Sequence, residues 1–111
     1  MTTSDIDSIA MMDRSTVMHP FTHLKNHASG KDDGPIIIDG GRGIRITDAA
    51  GRKYIDGFAG LYCVNIGYGR TEVAQAIADQ ARKLAYYHCY AGHTTEGLAR
   101  LSDRLVRMAP G

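Results

Sequence analysis

The sequence has no excess of charge of either sign. Its 13 Lys and Arg nearly balance 12 Asp and Glu, for a formal net charge of +1, and no long run of one sign occurs. That leaves no electrostatic footprint for nucleic acid or an anionic membrane. Cysteine is scarce: Cys63 and Cys89 are the only two. They are too few, and too apolar in setting, for a disulfide scaffold. No apolar run approaches the roughly 20 residues that span a bilayer. Asp5, Asp7 and Asp13 interrupt the N-terminus, and no apolar stretch of a secretory signal follows. A soluble, cytoplasmic protein is expected, and 111 residues suffice for one small domain.

Nucleophilic machinery is missing as well. There is no Gly-x-Ser-x-Gly elbow, and neither cysteine has the basic neighbours that would favour its thiolate. The lysines are Lys25, Lys31, Lys53 and Lys83, all in polar settings, and none is placed to act as a desolvated amine nucleophile. His19, His23 and His27 are spaced by four, but Pro20 disturbs a helix through them and no carboxylate or cysteine ligand lies close by in sequence. No catalytic, cofactor-binding or metal-binding residue is therefore expected within the chain.

What is present begins with an arm, residues 1–34, without sustained period. Asp5 to Met12 suggests a helical turn or two, and Ser29 to Gly34 reads as a polar loop. Met18, Phe21 and Leu24 suit an arm lying against protein surface, and such an arm rarely orders itself alone. Residues 35–70 change character. Ile36-Ile37-Ile38 is a β-branched run ended by Gly40-Gly41. Ile44 and Ile46 alternate with polar residues as in a half-buried strand, Asp48 to Gly51 fits a type I turn, and Tyr54-Ile55 continues outward. A three-stranded meander is the economical reading. Residues 71–111 carry two amphipathic helical patterns: Val73, Ile77, Ala81 and Leu84, then Leu98, Leu101, Leu105 and Met108, which are expected to be buried. Thr71 is an N-cap candidate for the first helix, and Thr94 or Thr95 opens the second. These parts do not close a core, so the chain reads as the N-terminal piece of a larger α/β protein, incomplete as a domain.

The stretch Phe58-Ala59-Gly60-Leu61-Tyr62-Cys63-Val64-Asn65-Ile66-Gly67-Tyr68-Gly69-Arg70 fits neither period. Its small residues let the backbone turn and approach other groups closely, a common setting for binding residues. Gly67-Tyr68-Gly69 suggests a phosphate turn, but Glu72 stands where a third glycine is required, and a plain turn is preferred. Core packing is the expectation for Phe58 and Tyr86, whereas Tyr62 and Tyr90 lie in glycine-bearing irregular segments where a phenol can face a cavity. His88 and His93 suit either a pocket or a hydrogen-bonded structural role.

This stretch, with the following helix and Tyr86-Tyr87-His88, closely resembles the N-terminal region of class III pyridoxal-phosphate-dependent aminotransferases, nearest to their ω-transaminase branch. Gly43 to Asp48 and Gly51 to Asp56 resemble that family's opening strands, and His19 to Leu24 its arm. The resemblance implies a piece of a PLP-dependent transferase of fold type I. Residues 1–34 would be the arm, 35–70 the small-domain strands with the pocket-lining segment, and 71–111 the first helices leading to the large domain. It implies substrate-lining roles for Tyr62, Leu61 and Phe21, and for Tyr90 across a homodimer interface. His93 stands where some relatives have Arg, which puts a charge contact there in doubt. The implied reaction moves an amino group from an amine or ω-amino acid to pyruvate or a similar keto acid, with pyridoxal phosphate as electron sink. The cofactor's phosphate cup, its stacking aromatic, its aspartate and its lysine come later in such proteins, so this chain alone is expected to be inactive. The rival expectation is a free-standing binding or interaction module using exposed tyrosines.

Overall fold

The first element starts from a reciprocal cap. Thr2 Oγ1 accepts from the Asp5 N–H at 3.2 Å, and Asp5 Oδ2 accepts from the Thr2 N–H at 2.9 Å. This capping box opens helix α1, Thr3–Thr16, which ends with Arg14 in its last turn. The computed structural model describes residues 1–110. Its α1 has 14 residues, against the turn or two expected from sequence, because apolar periodicity is weak there while the capping chemistry is strong.

A second short helix, α2 (Leu24–Ser29), is capped by His23, whose Nδ1 accepts from the Asn26 N–H at 3.3 Å. It ends at Gly30, whose φ of 73° is the left-handed conformation that glycine adopts without penalty. Between the two helices the arm is tied by side chains. Asp13 on α1 meets Nε2 of His19 at 3.0 Å and Nε2 of His27 at 2.9 Å. Asp32 meets His27 Nδ1 at 2.9 Å and accepts from Arg14 at 2.8 Å. Arg14 also donates to the His27 carbonyl. The sequence reading that no carboxylate ligand lies close to these histidines is thus overturned. Asp13 is six residues before His19 and fourteen before His27, and only the fold of the arm brings them together. The hydrogen bond from His19, opposed by burial and reinforced by His27, holds the Asp13 carboxyl below its ordinary range.

Three antiparallel strands follow in meander order: β1 (Ile38–Arg42), β2 (Arg45–Asp48) and β3 (Lys53–Ile55). The meander agrees with expectation, but β1 runs through Gly40 and Gly41 rather than ending at them, with an irregular register between Ile38 and Gly40. Gly41 is needed there: a Cβ on it would sit 2.7 Å from the Tyr68 ring. The turn from Asp48 to Gly51 closes with the Gly51 N–H donating to the Asp48 carbonyl at 2.9 Å. Asp48 is buried, and its carboxylate accepts from the Arg52 N–H (2.8 Å), Arg52 Nε (2.7 Å) and the Tyr54 hydroxyl (2.8 Å).

The chain divides into two compact units, Met1–Arg70 and a second beginning at Thr71. The second holds α4 (Thr71–Lys83), a single 3-10 turn at Tyr90–Gly92, and α5 (Glu96–Met108). Thr95 caps α5 by accepting from the Leu98 N–H at 3.3 Å. Among the described residues no apolar side chain is buried. The expected buried faces are therefore open: Leu98, Leu101, Leu105 and Met108 are 44%, 56%, 56% and 72% exposed. Phe58 and Tyr86, expected in a core, are exposed too. Amphipathic periodicity reports that a helix has an apolar face, and not what covers it.

Candidate functional site

The irregular stretch after β3 is held by one carboxylate. Asp56 Oδ1 accepts from the Phe58 N–H at 3.0 Å, and Oδ2 accepts from the Gly60 N–H at 2.8 Å and the Tyr68 hydroxyl at 2.5 Å. The Tyr68 hydroxyl, followed by these N–H groups, holds the Asp56 carboxyl below its ordinary range, and the same bond pushes the Tyr68 phenol up. Tyr68 is anchored in turn. Its N–H donates to the Gly43 carbonyl at 2.8 Å, and its carbonyl accepts from the Gly43 N–H at 3.0 Å.

Between Asp56 and Tyr68 the backbone makes a left-handed turn, α3 (Ala59–Tyr62), with φ of 48°, 55°, 62° and 67° at Ala59, Gly60, Leu61 and Tyr62. The Tyr62 and Cys63 N–H groups close it onto the carbonyls of Phe58 and Ala59 at 3.0 and 2.9 Å. Only Gly60 takes this conformation freely; the other three carry a steric penalty of about 1–2 kcal/mol each. Five non-glycine residues in the described chain have positive φ: Phe21, Ala59, Leu61, Tyr62 and Ala91. Such outliers concentrate at functional positions. Leu61 and Tyr62 are brought together on the one turn, 60% and 69% exposed, with the Phe58 ring edge-on to Tyr62 at 4.8 Å. Phe21 is not joined to them: its side chain is fully exposed at the head of α2.

Tyr90 belongs to the second unit, where an aromatic stack presents it. His88 stacks on Tyr87 at 4.5 Å and on Tyr90 at 5.6 Å, while His93 meets Tyr87 and His88 edge-on. His88 Nδ1 accepts from the Tyr90 N–H at 3.2 Å, and His93 Nδ1 donates to the Tyr90 carbonyl at 2.8 Å. Both histidines thus hold the tight turn at Ala91, whose φ is 53°, and leave the Tyr90 phenol exposed.

Gly67-Tyr68-Gly69 is occupied by structure. The Gly67 and Tyr68 N–H groups already donate to the carbonyls of Val64 and Gly43, and a Cβ on Gly67 would stand 3.1 Å from the Gly43 oxygen. Neither N–H is free for an anion. Sequence reasoning missed Asp56 as the holder of the turn. The signal was available, since Asp before Gly at the start of an irregular segment readily accepts from N–H groups a few residues on. Among the described residues no helix is long and apolar enough to cross a membrane.

The family signature described as aminotransferase class-III matches residues 27–111. The chain belongs to the class-III aminotransferases. It is 66% identical over 109 residues to an uncharacterized aminotransferase of Sinorhizobium fredii, covering 98% of this chain and 23% of that protein. It is 53% identical over 100 residues to a diaminobutyrate–2-oxoglutarate transaminase of Halomonas elongata, covering 89% and 21%. A hypotaurine/taurine–pyruvate aminotransferase of Paracoccus denitrificans is 38% identical over 109 residues, covering 97% and 23%. A transaminase solved in work on directed evolution by ancestral reconstruction superposes with a TM-score of 0.91 at 57% identity, covering 96% of this chain and 23% of that one. The chain thus spans under a quarter of the length of the relatives it matches.

Proposed function

We propose that this chain is the N-terminal part of a pyridoxal-phosphate-dependent aminotransferase and supplies a wall of its substrate pocket. The whole protein moves an amino group from an amine or ω-amino acid to pyruvate or a similar keto acid, as a cytoplasmic homodimer. In this reading residues 1–34 are the arm, 35–70 the small-domain strands and pocket segment, and 71–111 the helices entering the large domain. Tyr62, Leu61 and Phe21 face the substrate, and Tyr90 reaches the pocket across the dimer interface.

The observation that carries this reading is the backbone strain. Three of the five positive-φ non-glycine residues are Phe21, Leu61 and Tyr62, and a fourth, Ala91, follows Tyr90 directly. A solvated turn would relieve such strain with glycine, whereas a wall that must present a side chain at a fixed angle retains it. The residues present do not fit the cofactor itself. All four lysines are exposed, and the glycine turn that could face a phosphate has two N–H groups already bonded. When bound elsewhere in the protein, pyridoxal phosphate supplies the electron sink. This chain's residues bind and orient the amine.

A second reading has support of its own: the identity to the diaminobutyrate–2-oxoglutarate enzyme exceeds that to the pyruvate enzyme. The two separate on the acceptor. Incubating the whole protein and cofactor with an amine donor and either pyruvate or 2-oxoglutarate, and measuring alanine or glutamate, decides between them. Formation of neither product removes both acceptor readings. Tyr62→Ala is expected to lower kcat/KM for an aromatic amine roughly 10- to 100-fold, the loss of one buried aromatic contact. It leaves the cofactor absorbance unchanged.

A further inference from the structure

We propose that Asp13, His19 and His27 form a binding site for a divalent transition-metal ion of the zinc type, where α1, the loop after it and α2 converge. The three donor atoms lie within 4.8 Å of one another. Both imidazole Nε2 atoms aim at the same oxygen, Asp13 Oδ1, from 3.0 and 2.9 Å. In a tetrahedral zinc site with bonds of about 2.0–2.1 Å, neighbouring ligand atoms stand about 3.3 Å apart. Accepting an ion therefore asks each nitrogen–oxygen pair to part by a few tenths of an ångström, and the two imidazole nitrogens, within 4.8 Å of one another, to draw together by up to about 1.5 Å.

The second observation concerns His27, which is 4% exposed and has a carboxylate at each ring nitrogen: Asp32 at Nδ1 (2.9 Å) and Asp13 at Nε2 (2.9 Å). A neutral imidazole has one N–H and one lone pair, so it donates to only one of them. With Nδ1–H given to Asp32, the Nε2 lone pair faces the lone pairs of Asp13. A cation between them turns that repulsion into two bonds. The result is a carboxylate–histidine–metal relay, in which the outer carboxylate fixes the ring's tautomer and direction. The outer carboxylate is itself fixed, since Asp32 accepts from Arg14 at 2.8 Å and from the Gly34 N–H at 3.0 Å.

The site is reachable. A cavity of about 410 Å³ adjoins it, lined by His19, His27 and Asp32 among others, and leaves room for a water or other fourth ligand. Two nitrogen donors with one carboxylate select zinc, copper or nickel over calcium and magnesium, which require oxygen ligands. Asp13 and His19 precede the region matched by the family signature, which begins at residue 27. None of its three ligands is among the residues placed in the substrate wall, although Phe21 follows His19 by two positions on the same arm.

The test uses the whole protein, free of any histidine tag and stripped with EDTA. Zinc is titrated calorimetrically, and cobalt is followed by its visible absorption. Binding of one ion per chain is expected, weakened at least tenfold in both Asp13→Asn and His19→Ala. Asp32→Asn is expected to lower affinity roughly 10- to 100-fold without changing the stoichiometry, as outer-shell changes do. His19→Ala guards against misfolding, because its side chain is 34% exposed while that of His27 is 6%. Unchanged affinity in both Asp13→Asn and His19→Ala overturns the proposal. So does the absence of zinc heat and of a cobalt band at excess metal.

Discussion

At the scale of the residue, Asp56 decides where Tyr62 points. Its two oxygens take three donors, two from the left-handed turn and one from Tyr68. Asp56→Asn keeps one acceptor oxygen and places an NH2 against donors. Leu61 and Tyr62 then lose their fixed angle, and KM for the amine is expected to rise several-fold with little change in cofactor binding. Steady-state kinetics on the whole protein checks this, and an unchanged KM would leave Asp56 no positioning role. Gly60→Ala tests the same turn from the inside. Its φ of 55° costs a Cβ-bearing residue about 1–2 kcal/mol. The added Cβ would also stand 3.0 Å from both the Tyr68 hydroxyl and Val64 Cγ2. The carboxylates set a pH window as well. Asp48, despite its burial, is held low by the Tyr54 hydroxyl and Arg52, and Asp56 is held low by Tyr68 and the turn N–H groups. A lowered carboxyl contributes stability that is present above the unfolded value of about 3.9 and lost as pH falls through the folded one. Tyr68 is raised, so its contribution is present below the unfolded value of about 10 and lost as pH rises through the folded one. Thermal midpoints of the wild type should fall at both ends of that range, and Asp56→Asn should make both limbs shallower, because the Asp56–Tyr68 hydrogen bond contributes to both, while Asp48 keeps its share of the acid limb.

At the scale of the element, caps outweigh periodicity in α1. Thr2→Ala removes half of the capping box and is expected to destabilise that helix by about 0.5–2 kcal/mol. Faster amide exchange over residues 3–6, with the strand amides unaffected, is the readout; equal exchange in both proteins would show that the cap contributes nothing. The meander, α4 and α5 were legible because Ile44, Ile46 and the Leu98–Met108 face carry their periods in adjacent residues. What escaped was non-local or chiral. Asp13 meets His27 across fourteen positions. The left-handed turn at Ala59–Tyr62 has no period to betray it, and only Gly60 among its four residues carries a conformational signature. The extent of β1 was misjudged for a related reason: Gly40 and Gly41 read as strand breakers, yet Gly41 is the space that the Tyr68 ring fills.

At the scale of the whole molecule, exposed surface argues for missing partners. The chain exposes 9487 Å². Even two separate compact bodies of roughly 70 and 40 residues would together expose only about 7,200 Å². The surplus, on the order of 2,000 Å² on this one chain, is more than twice the roughly 800 Å² that one partner gives to a standard interface and is in the range of an extensive obligate contact. It is apolar where the amphipathic faces lie: Ile77 is 64% exposed on α4, and Met108 is 72% exposed on α5. Exposed apolar area of this extent binds hydrophobic dyes and self-associates. The chain expressed by itself is therefore expected to bind such a dye, to sediment as a mixture of species, and to melt without a sharp transition. Placed in the whole protein, the same residues should show slow amide exchange along α5, because their apolar face is then covered. A sharp cooperative melt and dispersed amide resonances from the isolated chain would instead favour a free-standing module. In that case the open faces of α4 and α5 would have to be docking surfaces in their own right rather than the cut edge of a larger core.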